Sequence, residues 1–204
     1  MTINSDTGLL DGALPAITEA ELAALHDRLA ERAAADGVLD VAYRTLDTPV
    51  GTLLLAATEA GLVRVAYPIE GHDQVLQALA TRISPRVLRA PGRLDTAAHE
   101  IDEYFTGRRR TFDLPLDYRL SSGFRRAVLA RLPGIGYGQT TSYAALAAAV
   151  GSPRAYRAVG TACATNPLPV VLPCHRVVKS DGQAGRYRGG PAAKQFLLGL
   201  EAET

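Results

Sequence analysis

Apolar residues recur at two different periods along this chain. Thr18 and Glu21 make a capping-box pattern, and Leu22, Leu25 and Leu29 follow at helical spacing. A helix over roughly 18–35 is predicted, ended by Asp36-Gly37. Three short runs with strand character come next: Val41 to Leu46, Gly51 to Ala57 after the Thr48-Pro49 turn, and Leu62 to Tyr67 after Glu59-Ala60-Gly61. Short runs divided by turn residues predict an antiparallel meander. Helical character returns over 73–82, with Leu76, Leu79 and Ile83 on one face, and over 95–105. Residues 1–16 show no period and read as a flexible lead.

From Ser122 onward the pattern is mostly helical. Phe124 to Leu132 forms one predicted helix, broken by Pro133-Gly134, and Ser142 to Val150 forms another, closed by Gly151. A third is expected to start at Ser152-Pro153, with Ser as N-cap and Pro at N1, and to run to about Ala164. Two short helices joined by a tight Gly-Ser-Pro turn suggest a helix-turn-helix. Leu168 to Leu172 reads as a short apolar strand between Pro167 and Pro173. A glycine-rich loop (Gly182, Gly185, Gly189, Gly190) precedes a last helix, opened by Pro191 and reaching Glu201. The expected class is α+β. Its units are an extension with one helix over 1–37, a small domain with an antiparallel sheet and helices over 38–115, and a mostly helical domain over 116–204.

Charge supports that division. The whole chain is nearly neutral at +1, but residues 116–204 hold eleven Lys+Arg against four Asp+Glu. The basic second part is where a polyanion would bind, although a solvated basic surface explains the imbalance equally well. No apolar run approaches a membrane span. The first residues lack a basic segment followed by an apolar core, so a cytoplasmic protein without a secretory signal is expected. The two cysteines, Cys163 and Cys174, form no disulfide framework and no C-x-x-C pair, and no metal site or cofactor is expected. The 182–190 loop lacks the G-x-x-x-x-G-K-[ST] order of a phosphate-binding loop.

The chemistry concentrates in Asn166-Pro167-Leu168-Pro169-Val170-Val171-Leu172-Pro173-Cys174-His175-Arg176-Val177. A thiolate is the nucleophilic form of cysteine, and a neighbouring base or cation favours it. Side chains of adjacent strand residues point to opposite faces. Cys174 and His175 therefore need a turn to meet, or a water to pass the proton. An isolated Cys-His pair is more often a buried structural thiol beside a surface histidine.

The Pro-Cys-His-Arg-Val signature resembles that of the O6-alkylguanine-DNA alkyltransferases. The similarity extends in order through Ser142-Tyr143, Arg157-Ala158-Val159-Gly160, Asn166-Pro167, Gly185, Tyr187, Gly189-Gly190, Leu197-Leu198 and Glu201. More weakly, the acidic first half resembles the family's N-terminal domain, with Tyr43 to Leu55 its best-matched part. The resemblance implies a ribonuclease H-like first domain and a winged-helix-like second one. It implies direct-reversal DNA repair, with one irreversible alkyl transfer from guanine O6 (and, left open, thymine O4) to Cys174. His175 would act as base through water, Glu201 would orient it, and Asn166 would tie the recognition helix to the active-site segment. Tyr143 would donate to the flipped base. Arg157 would fill the gap in the stack, with Ala155, Ala158 and Gly160 letting the helix approach the minor groove of double-stranded DNA. Val177, Tyr187, Arg188 and Gly189 would form the base pocket, in a protein expected to be monomeric off DNA. Arg186 and Arg188 stand where small or neutral residues are usual in the family, so they would narrow the pocket or contact phosphate. A cysteine hydrolase and a plain helix-turn-helix module remain the competing readings, separated by turnover and by chemical modification of Cys174.

Overall fold

The computed structural model describes residues 17–202; the predicted lead over 1–16 lies outside them. Helix α1 (Glu19–Ala35) starts as expected. Thr18 accepts from the Glu21 amide, and Glu21 reaches back to the Thr18 amide. Only Ala30 and Ala33 of α1 are buried, while Leu22, Leu25 and Leu29 face outward.

Strands β1 (Val41–Leu46), β2 (Leu53–Thr58) and β3 (Gly61–Ala66) form the antiparallel meander. The sheet is nevertheless mixed rather than antiparallel. A fourth strand, β4 (Val87–Arg89), pairs parallel to β1, giving the order β3-β2-β1-β4. Three residues between two helices are too few to display a period of two, so the sequence pattern did not reveal it.

Residues of β2 alternate between two cores. Leu54 and Ala56 pack with Val75 and Leu79 of α2 (His72–Arg82). Leu53, Leu55 and Ala57 belong to the larger core with Leu94, Ala98, Ile101 and Tyr104. The last three of these belong to α3 (Asp95–Phe105). Because both faces of β2 are covered, its sequence is a continuous apolar run.

The second part packs α4 (Gly123–Arg131), α5 (Tyr143–Ala149) and α6 (Tyr156–Ala164) together, and α7 (Gly190–Ala202) closes the chain. Ser142 caps α5 by accepting from the Ala145 amide. The start of α6 differs from expectation. Ser152 and Pro153 lie in a turn closed by Ala155 N–H to Ser152 C=O, and the helix begins at Tyr156 with no side-chain cap. The α5–α6 connection therefore runs from Val150 to Ala155, longer than the expected Gly-Ser-Pro turn, with Gly151 at φ 74°.

The expected strand over 168–172 is also absent. The segment is a turn in which Leu172 N–H bonds back to Leu168 C=O and Val170 takes φ 72°. A β-branched residue in the left-handed region is costly and persists only where its surroundings impose it. Here Val170 is buried, and Asn166 bonds both ends of the turn.

The two parts share one large core. Val65 N–H of β3 bonds to Pro167 C=O, and Leu62 bridges to Leu116. Strand β5 (Thr141–Ser142) pairs parallel with β6 (Val177–Val178), fixing the start of α5 beside the Cys174 segment. Among the described residues, no helix is long and apolar enough to cross a membrane.

Candidate active site around Cys174

Pro173 ends the 168–172 turn, and Cys174–Arg176 follow as one turn of 3-10 helix rather than as strand. Cys174 and His175 are both buried here. Asn166 determines the sulfur's surroundings. Its Nδ2 donates to Leu172 O at 2.9 Å and to Cys174 Sγ at 3.1 Å, while its Oδ1 accepts from Leu168 N–H at 2.9 Å. Burial pushes the Cys174 thiol up to about 11, against the opposing effects of the Asn166 hydrogen bond and the Lys194 charge. The resting sulfur is therefore a thiol at neutral pH, and reaction requires a base.

His175 can be that base. Its Nε2 lies 2.8 Å from Glu201 Oε1. An ionised carboxylate only accepts, so Nε2 carries the proton and Nδ1 keeps its lone pair. Nδ1 is buried and bonds to no protein atom. Burial lowers the His175 pKa and outweighs the raising effect of Glu201, so the ring is neutral and ready to take a proton.

Glu201 collects donors from both parts of the chain. Oε1 also accepts from Tyr104 Oη at 2.7 Å and Arg176 Nη2 at 2.9 Å. Oε2 accepts from Arg176 Nε at 2.8 Å and Gly138 N–H at 3.1 Å. Burial alone would raise this carboxyl. The bonds from His175, Arg176 and Tyr104 outweigh burial and hold it at about 2. The side-on Arg176 pair restricts the carboxylate to one orientation, and so fixes the imidazole.

Tyr143 sits at the start of α5 between two glycines. A Cβ on Gly185 would lie 2.1 Å from its hydroxyl, and one on Gly160 would touch its ring at 4.0 Å. Gly160 thus faces Tyr143, whereas Arg157 and Ala158 face solvent and Ala155 is half-buried. Burial pushes the Tyr143 phenol up to about 12, so it stays a neutral donor. The Arg157 guanidinium lies 5.2 Å from the Tyr156 ring centroid, on the outer side of α6.

Val177 is buried on β6 and Tyr187 on the glycine-rich loop. Tyr187 Oη lies 2.9 Å from Tyr67 Oη, and Gly189 rests on the Tyr67 ring, where a Cβ would approach within 2.6 Å. Arg188 reaches Glu70 and donates through Nη1 to Thr165 O at 3.0 Å. Arg186 is exposed, beside an open groove between the end of α6 and the loop.

Sequence reasoning missed four participants. Tyr104 and Tyr67 come from the first part, and nothing local marks them. Arg176 stood inside the signature but had been given no role. Lys194 looked like an ordinary helix residue. It is fully buried, bonded through Nζ to Val177 O at 2.6 Å, and 5.8 Å from the Tyr143 ring centroid. A buried lysine among apolar residues is costly, and that composition conflict is the one signal that could have singled it out.

A buried thiol held by an amide, beside a neutral histidine oriented by a carboxylate, defines a protein that uses cysteine as a nucleophile. Comparison with known proteins gives its family. Residues 41–118 match the 6-O-methylguanine DNA methyltransferase ribonuclease-like domain, and 123–203 match the DNA binding domain of the same family. A methylated-DNA–protein-cysteine methyltransferase from Methanosarcina barkeri is 36% identical over 159 residues, covering 78% of this chain and 96% of the relative. One from Mycolicibacterium paratuberculosis is 38% identical over 161 residues, covering 79% and 92%. The crystal structure of Mycobacterium tuberculosis OGT in complex with DNA superposes with a TM-score of 0.68 at 34% identity, covering 79% of this chain and 93% of that one. The chain belongs to the 6-O-methylguanine DNA methyltransferase family.

Proposed function

We propose that this protein repairs O6-alkylguanine in double-stranded DNA by moving the alkyl group, once and irreversibly, onto Cys174. The observation that carries this reading is the Asn166–Cys174 and His175–Glu201 pairing in one buried site. The flipped base is held by Val177, Tyr187 and the loop through Gly189. A bridging water passes the thiol proton to Nδ1 of His175. Sγ attacks the alkyl carbon as the C–O6 bond breaks, and the electron pair stays on the departing guanine. Tyr143 donates a hydrogen bond to the base and so lowers the cost of that negative charge. A thioether on Cys174 remains, with a dealkylated guanine anion still attached to its DNA strand that takes up a proton from solvent, and the imidazolium is balanced by Glu201. The thioether has no route back to a thiol, so each molecule acts once.

Helices α5 and α6 serve as the helix-turn-helix of a winged-helix-like domain. The exposed Arg157–Ala158 face of α6 enters the minor groove, where small residues permit close approach. Arg157 replaces the flipped base in the stack. The working division is an extension through residue 37, a first domain over 38–115 and an acceptor domain over 116–204. The protein is read as cytoplasmic and monomeric off DNA, with no cofactor.

The test is intact-mass analysis after incubation with a duplex containing O6-methylguanine. One methyl per molecule, on the Cys174 peptide, is expected. Repeated turnover would indicate a hydrolase, and binding without a mass change would indicate a DNA-binding module.

A further inference from the structure

Glu70 ties β3 and the turn that follows it to two segments much later in the chain. Its Oε1 accepts from Tyr67 N–H at 2.9 Å. Its Oε2 accepts from both Arg64 Nη2 and Arg188 Nε. Arg64 in turn donates through Nη1 to Pro167 O at 3.1 Å, and Arg188 to Thr165 O. The cluster therefore connects β3, the Pro68–Glu70 turn, the end of α6 and the glycine-rich loop. Immediately beside it, Tyr67 supports that loop through the Tyr187 hydroxyl and through Gly189.

Cys174 is 1% exposed, and Tyr187 of this loop is buried with its ring 6.3 Å from that of the neighbouring His175, so an alkyl group delivered to Cys174 arrives beside this loop. A methyl needs little room. A benzyl group needs more, and a tethered segment yields it less readily than a free one. We propose that the Arg64–Glu70–Arg188 cluster limits the size of the alkyl group that Cys174 accepts, by holding the Tyr187–Gly189 segment against the first part of the chain. This rests on the alkyl-transfer reading above. The arginine at 188 thus acts from behind the loop, and its role is positioning.

The cluster's charge makes this separable from stability. Two guanidiniums share one carboxylate. Burial, and then the nearby charge of Arg188, push the Arg64 guanidinium down to about 10. Removing Arg188 leaves the buried Arg64–Glu70 pair intact and relieves a like-charge contact. The variant Arg188→Gly should therefore fold. Removing Glu70 would instead strand two cations.

The experiment measures second-order rates of Cys174 alkylation by mass spectrometry, on duplexes carrying O6-methylguanine or O6-benzylguanine. Wild type, Arg188→Gly and Tyr67→Phe are compared. The benzyl-to-methyl rate ratio should rise roughly tenfold in Arg188→Gly, the scale on which pockets discriminate by size. Tyr67→Phe, which loses only the Tyr187 hydroxyl bond, should raise it less. An unchanged or lower ratio in Arg188→Gly overturns the inference, as does an equal fall on both substrates, which marks a merely structural role. If Arg188→Gly does not fold, Tyr67→Phe decides: an unchanged ratio there overturns the inference. Wild type that forms no thioether on either duplex instead defeats the repair reading itself.

Discussion

Nε2 of His175 donates to Oε1 of Glu201 at 2.8 Å, leaving Nδ1 as the imidazole's available base. One carboxylate thus sets both the tautomer and the orientation of the ring beside the acceptor thiol.

Glu201→Gln should damage both reactivity and stability. The substitution leaves Arg176 buried without its charge partner, a loss of about 3–5 kcal/mol for a broken buried pair. An amide in place of the carboxylate can also present a donor to Nε2 and reverse the tautomer. Thermal unfolding should show a clear drop, and alkylation of the remaining folded protein by free O6-benzylguanine should slow by about a hundredfold. An unchanged rate in folded protein would remove Glu201 from the relay.

Arg157→Ala should separate DNA handling from chemistry. The side chain is exposed on α6, over the exposed Tyr156 ring, so stability should shift by no more than about 0.5 kcal/mol. Repair of a duplex should fall steeply, while reaction with the free alkylated base stays near wild type. Equal losses in both assays would argue against a role in flipping.

Gly185→Ala tests the seat of Tyr143. The new methyl would lie 2.1 Å from the Tyr143 hydroxyl, and that group sits on a ring packed from the other side by Gly160. Overpacking of this kind costs about 1–3 kcal/mol. The displaced hydroxyl should lower the alkylation rate on free base and duplex alike. A wild-type rate in Gly185→Ala would show that Tyr143's position is not needed.

The pH dependence follows from two opposite shifts. The lowered His175 pKa keeps the base form present at neutral pH, and activity should be lost only as acid protonates it below its ordinary value near 6.5. The Cys174 thiol lies near 11, so no increase from direct thiol ionisation is expected around the ordinary thiol value. The free-base alkylation rate should be flat from about pH 7 to about pH 9 and fall on the acid side. A tenfold rise per pH unit across that range would mean that direct ionisation, not His175, activates the sulfur.

Much of the site was legible because its residues sit in a short ordered signature. Cys174, His175 and Asn166 lie within ten residues, and Thr18, Ser142 and the glycine turns mark helix ends by local chemistry alone. The misreadings came where local preference was overridden. Leu168 to Leu172 has strand composition, yet Asn166 and the surrounding core fold it into a turn with Val170 left-handed. Ser152-Pro153 has the chemistry of a helix start, yet α6 begins at Tyr156.

The sequence by itself determined most helices, the first three strands and the basic character of the second part, and its ordered signature pointed to Cys174 and His175, because each of these depends on local pattern. Tertiary structure alone decided that β4 joins the sheet in parallel. It also brought Tyr104 to Glu201 and set Glu70 between Arg64 and Arg188. Those contacts join residues 6 to 118 positions apart, and chain proximity carries no information about which buried polar groups will satisfy one another once the core has closed.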